Sequence, residues 1–128
     1  MATGRAKRVF VFIPPLLYMA VVFAISVGRT PPDIYVFNQV DKLYHFIIYS
    51  VMGFVWARAF TKGSEGRGKE PRGNRIFLFS FAISLFYGAF LEVVQHFSPE
   101  RTAELVDVIA NGAGGFSGAF VYRYLFLR

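Results

Sequence analysis

Cysteine is absent from the chain. That absence removes disulfides, thiolate metal sites and cysteine nucleophiles from consideration. Histidine is scarce, with only His45 and His96. Carboxylates are outnumbered, eight Asp and Glu against 14 Lys and Arg, which leaves a formal net charge of +6. Extended polar sequence is nearly missing as well: the main stretch, 61–75, reads TKGSEGRGKEPRGNR. Neither an internal repeat nor a second domain is visible, so one domain is expected over residues 1–128.

Apolar residues fill the space. They make up 55% of the 128 residues, and phenylalanine alone accounts for 16. A soluble domain of this size lacks the interior to hide so much apolar surface, whereas a bilayer accepts it on the outside of the protein. Four apolar segments stand out, at about 9–27, 43–60, 76–97 and 103–127. A helix needs about 20 residues to cross the hydrocarbon core. The expected fold is therefore all-α, an integral membrane bundle of four transmembrane helices. Pro14 and Pro15 mark a kink or a late helix start in the first segment. That apolar run is long for a cleavable leader, and a retained helix is the expectation.

Charge supplies the expected topology. Arg5, Lys7, Arg8, Lys62, Arg67, Lys69, Arg72, Arg75, Arg123 and Arg128 fall on one side of a four-span protein. Only Arg29, Lys42 and Arg101 fall on the other. Positive residues stay inside, so both termini and the 61–75 loop are expected to be cytoplasmic, in the cell (inner) membrane. The basic balance is thereby explained as topology. A nucleic-acid reader needs a basic face on a folded domain, and no nucleic-acid partner is expected.

The carboxylates are distributed the other way. Glu65 and Glu70 fall on the cytoplasmic side, while Asp33, Asp41, Glu92, Glu100, Glu104 and Asp107 fall toward the outside, together with both histidines. Asp41 and His45, Glu92 and His96, and Asp107 and Asn111 are each four residues apart, a spacing that puts both members on one helix face. Gln95 lies beside Glu92 on nearly the same face. Ser84 and Gly88 continue the Glu92 stripe inward, and Gly114 and Gly118 continue the Asp107–Asn111 stripe. Small residues at this spacing let helices approach closely. The third and fourth spans are accordingly expected to pack through them, bringing Glu92 and Asp107 together. Charge inside a bilayer is costly and calls for partners; Arg101, Lys42, His45 and His96 are the available ones. Interhelical hydrogen-bond glue is the structural alternative for this set, and an N-cap is the alternative for Asp41 alone.

These residues resemble the VanZ-like integral membrane protein family. The family's Asp-Lys-x-x-His-Phe entry to a helix is matched by Asp41, Lys42, His45 and Phe46, with Tyr49 and Gly53 following. Its Glu-x-x-Gln is matched by Glu92 and Gln95, and its Phe-x-Pro-x-Arg turn by Phe97, Pro99 and Arg101. Asp107, Asn111, Gly114 and Gly118 complete the pattern. One departure is Glu100, where family members often carry glycine. The resemblance implies an envelope role, since the family's namesake is associated with low-level resistance to the glycopeptide teicoplanin, an antibiotic. Many relatives are integral membrane proteins without an assigned reaction.

The expected site is thus Asp41, Lys42, His45, Glu92, Gln95, Arg101, Asp107 and Asn111, facing outward. Its expected partner, apart from the bilayer, is the head group of a lipid or lipid-linked cell-wall precursor, with Arg101 and Lys42 on phosphate. An enzyme acting on such a lipid-linked substrate is the alternative, with His45 or His96 as general acid or base. No recognised metal motif such as HExxH is present, so no metal or other cofactor is expected, although His45, His96, Glu92 and Asp107 are the residue types that bind zinc. No serine stands in an obvious nucleophile context. A carrier or proton relay would use intramembrane carboxylates, but the inner half of the bundle is nearly free of ionisable groups.

Overall fold

The computed structural model describes residues 2–28, 38–65, 67–68, 72–97 and 105–127. They form five helices, α1 Ala2–Phe10, α2 Ile13–Val27, α3 Asn38–Ser64, α4 Gly73–His96 and α5 Leu105–Phe126, with no strand among the described residues. The helices α1 and α2 are one rod with a break at Val11–Phe12. Pro14 and Pro15 have no N–H to offer the carbonyls four residues back, which belong to Phe10 and Val11. The helix resumes with the Leu16 amide on the Phe12 carbonyl at 3.2 Å. It also begins earlier than the apolar run suggests and takes the basic residues of α1 into the first span.

Three stretches, 4–27, 41–64 and 73–96, are long and apolar enough to cross a membrane. The helix α5 has 22 residues, about 33 Å at 1.5 Å per residue, which is a spanning length. Its polar and small residues follow from its place in the bundle. It packs against both α3 and α4, and the α3–α5 pair is the most extensive in the molecule. Asp107, Asn111, Gly112, Gly114, Gly115 and Gly118 are all buried in those two interfaces. The outer surface is apolar: Leu17, Phe86 and Phe120 are 62%, 72% and 50% exposed. Such a surface requires lipid around it.

Glycine decides which helices meet. A Cβ at Gly118 would collide with the Ser50 carbonyl, and one at Gly114 with the Phe46 carbonyl, both on α3. From the other side, a Cβ at Gly53 would collide with the Gly115 carbonyl. So the Gly114–Gly118 pair seats α5 on α3, not on α4 as the spacing alone suggests. The contact with α4 uses a second edge of α5, where a Cβ on Gly115 would come 2.5 Å from that of Ser84. Ser84 and Gly88 do face α5, as expected for that stripe.

Aromatic and polar contacts hold the first span to the others. Val22, Tyr49, Met52, Trp56 and Leu91 form the main buried cluster, and Phe12 packs on Trp56 and Phe60 at 6.3 and 5.9 Å between ring centres. Tyr18 donates its hydroxyl to the Ile48 carbonyl at 2.6 Å, and Tyr87 donates to that of Met19 at 2.7 Å. The buried serines Ser80 and Ser84 donate to carbonyls four residues back in their own helix, at 2.7 and 2.9 Å. That arrangement satisfies a hydroxyl where water is absent.

Candidate functional site

The ends of three helices meet at one end of the bundle. Asp41 lies in the first turn of α3 and Asp107 in the first turn of α5. The N-terminus of a helix carries partial positive charge, so both carboxylates sit where the backbone favours them. Glu92 lies one turn before the end of α4, where the backbone is partially negative. It is nevertheless only 5% exposed. Among the described residues its Oε2 is buried without a hydrogen-bond partner.

His45 joins the three helices. Its Nδ1 is 2.7 Å from Asn111 Oδ1 on α5 and 3.8 Å from Glu92 Oε1 on α4. Its Nε2 is 3.8 Å from Asp41 Oδ1, one turn earlier on α3. An amide oxygen can only accept, so Nδ1 carries the proton it gives to Asn111. In the neutral ring, Nε2 then keeps its lone pair and turns it toward Asp41. Donor atoms of Asp41, His45 and Asp107 lie within 4.8 Å of one another. The cluster grades from half-buried Asp41 and His45 to Asp107 at 6% and Asn111 at 0% exposure. It is open at the bundle end and closed inward.

Tyr49 and Gly88 close it. Tyr49 is one turn inward of His45, and Gly88 is one turn inward of Glu92. A Cβ on Gly88 would come 2.9 Å from Asn111 and 3.1 Å from the Tyr49 ring. Glycine there lets α4 lie against the Asn111 side chain, and Tyr49, 3% exposed, forms the floor. The sequence signal for this floor is that Tyr49 and Gly53 repeat the His45 face at four-residue intervals.

A family model described as VanZ/LLP1 matches residues 5–127. The chain belongs to that family. Membership covers all five helices almost end to end and, with the apolar spans, makes this a VanZ-like, multi-pass membrane protein. No curated protein and no solved structure matches the chain significantly.

Within this VanZ/LLP1 chain, the expected site residues divide. Asp41, His45, Glu92, Asp107 and Asn111 come together. Lys42 is half-buried beside Asp41. Gln95 turns away: its Nε2 donates to the Ser26 carbonyl of α2 at 3.1 Å, tying the first span to α4. His96 is exposed and faces the Phe97 ring at 6.1 Å. Arg101 and its turn, with Glu100 and Glu104, lie outside the described residues.

Proposed function

We propose that this VanZ-like protein lies in the cell (inner) membrane with the carboxylate–histidine cluster toward its outer face, where it binds the phosphorylated head group of a lipid or lipid-linked cell-wall precursor. The observation that carries this reading is the convergence of Asp41, His45, Glu92, Asp107 and Asn111 from three helices at one end of the bundle. Lone polar residues used as glue would pair locally. Here they are gathered into a cluster that opens at the interface, where head groups reside.

The orientation is supported by charge. Arg5, Lys7, Arg8, Arg58, Lys62, Arg67, Arg72, Arg75 and Arg123 lie toward the opposite end, and positive residues favour the cytoplasm. Both termini are then cytoplasmic. Family membership supports an envelope role of the glycopeptide-resistance type. On this reading Lys42 and Arg101 supply charge to the phosphate.

A second reading is favoured by the imidazole held between two carboxylates. A ring with an N–H oriented by Asn111 and its Nε2 turned toward Asp41 is equipped for general acid–base work, which would make the protein an enzyme on a lipid-linked substrate. Mass spectrometry of envelope lipids and lipid-linked precursors separates the readings, using cells that make wild type, Glu92→Gln or Asp107→Asn protein at matched levels. Binding alone predicts a co-purifying lipid that is lost in the variants, with unchanged precursor pools. Catalysis predicts a product that accumulates only with wild type. Neither change, in any lipid class, overturns both.

A further inference from the structure

Three carboxylates, one imidazole and Lys42, which is half-buried beside Asp41, share the open end of the bundle, and Lys42 with a protonated ring can neutralise at most two of the three. The helix ends favour Asp41 and Asp107 but oppose Glu92. Glu92 is also more than nine-tenths buried, and its Oε2 has no hydrogen-bond partner among the described residues. The cluster thus shows a donor set, a deficit of positive charge, and a buried carboxylate at its edge.

We propose that Asp41, His45 and Asp107 form a binding site for one divalent transition-metal cation. Two carboxylates and an imidazole suit Zn²⁺ or Mn²⁺ better than Ca²⁺, which prefers an all-oxygen shell. Ligand atoms held about 2.0–2.2 Å from a tetrahedral metal sit about 3.3–3.6 Å apart. The three donors lie within 4.8 Å, so the widest-spaced pair closes by up to about 1.5 Å to reach that geometry. Rotation of the short Asp41 and Asp107 side chains about their own bonds accomplishes that without moving a helix.

The outer arrangement matches what a metal-bound histidine requires. Such a ring ligates through one nitrogen and donates its other N–H to an acceptor that fixes its orientation. His45 has that acceptor in Asn111 Oδ1 at 2.7 Å, on the nitrogen remote from Asp41. Glu92 Oε1, 3.8 Å from the same nitrogen, stands behind the ligand shell and contributes charge. Three protein ligands leave coordination positions open toward the interface. A phosphate oxygen can fill one, so the cation bridges an acidic site to an acidic head group. That last step rests on the head-group reading above, whereas the metal site does not.

The test uses the full chain in detergent with Mn²⁺ as probe. Electron paramagnetic resonance counts bound Mn²⁺, and its pulsed form detects coupling to imidazole nitrogen. Wild type is expected to bind one Mn²⁺ per chain with that coupling. His45→Gln and Asp107→Asn should each bind at least tenfold more weakly, and Arg72→Gln, at the opposite end, should bind as wild type does. Melting temperature in EDTA checks the fold and separates a metal site from glue. Asp107→Asn should melt no lower than wild type without metal, while losing the rise that Mn²⁺ gives wild type. No Mn²⁺ binding by wild type, binding unaffected by both substitutions, or no nitrogen coupling overturns the metal site. So does an Asp107→Asn protein that melts lower in EDTA.

Dioctanoyl phosphatidic acid then tests the bridge. Binding that needs Mn²⁺ supports it. Equal binding in EDTA leaves the head-group reading intact and overturns the bridge. Mn²⁺ bound without any lipid binding retains the metal site and overturns both the bridge and the head-group reading.

Discussion

The two ends of this bundle carry charge in opposite ways. At the basic end, Arg5, Lys7, Arg58, Lys62, Arg67, Arg72 and Arg75 are all exposed, and the Lys62–Glu65 pair at 2.9 Å is exposed too. At the acidic end, Glu92, Asp107 and Asn111 are buried between helices. The difference is one of solvation. A charge in water contributes to a total, and its exact position matters little. A polar group turned inward must be matched by particular neighbours, because no water compensates for a missing one. The basic end therefore behaves as a sum, and the acidic end as a geometry.

The strongest way to break the geometry is to move its supports. Gly118→Val places side-chain atoms against the Ser50 carbonyl, and the clash cannot be relieved by a flexible neighbour. A loss of about 3 kcal/mol or more is expected, read as a fall in melting temperature in detergent and in the yield of folded protein. A wild-type melting curve would show that the α3–α5 contact tolerates a wider separation.

A smaller break comes from within the cluster. Asn111→Ala removes the acceptor of the His45 Nδ1–H and leaves a buried gap. About 2 kcal/mol is expected from the orphaned donor and the lost packing. Nitrogen NMR of His45 should also show the proton no longer confined to Nδ1. An unchanged ring spectrum would mean that another group orients the imidazole.

The smallest effect should be at the other end. Arg72→Gln and Arg75→Gln, together, should change stability by no more than about 0.5 kcal/mol, as for ordinary surface positions. Orientation, read by accessibility of cysteines introduced at the termini, should also hold, because the other basic residues of that end remain. A change in either would show that these arginines act individually, and would erase the contrast drawn between the ends.

Spacing made much of the acidic end legible. Asp41 with His45, and Asp107 with Asn111, share helix faces because four residues nearly complete a turn, and the structure joins those faces. The spacing fixes which face a residue occupies on its own helix but is silent about the neighbour that face meets. For this reason spacing alone pairs Gly114 and Gly118 with α4, whereas they seat α5 on α3. Gln95 shows a finer limit. Three residues from Glu92, it is rotated about 60° around the helix, enough to face Ser26 of α2 rather than the cluster. The early start of the first span was hidden by Arg5, Lys7 and Arg8, which interrupt the apolar run although the helix continues through them.

The position of α5 has a consequence for how the protein is made. It follows α3 and α4 along the chain, and it carries Asp107 and Asn111 on a backbone thinned by glycine. A segment of that kind partitions poorly into lipid by itself. By the time it leaves the ribosome, α3 and α4 have already been synthesised, and between them they offer the surfaces at Gly53, Ser84 and Gly88 that receive it. The order of these helices along the chain thus delivers a segment with two buried polar groups to a prepared berth, so that its membrane integration and the assembly of the polar cluster proceed together.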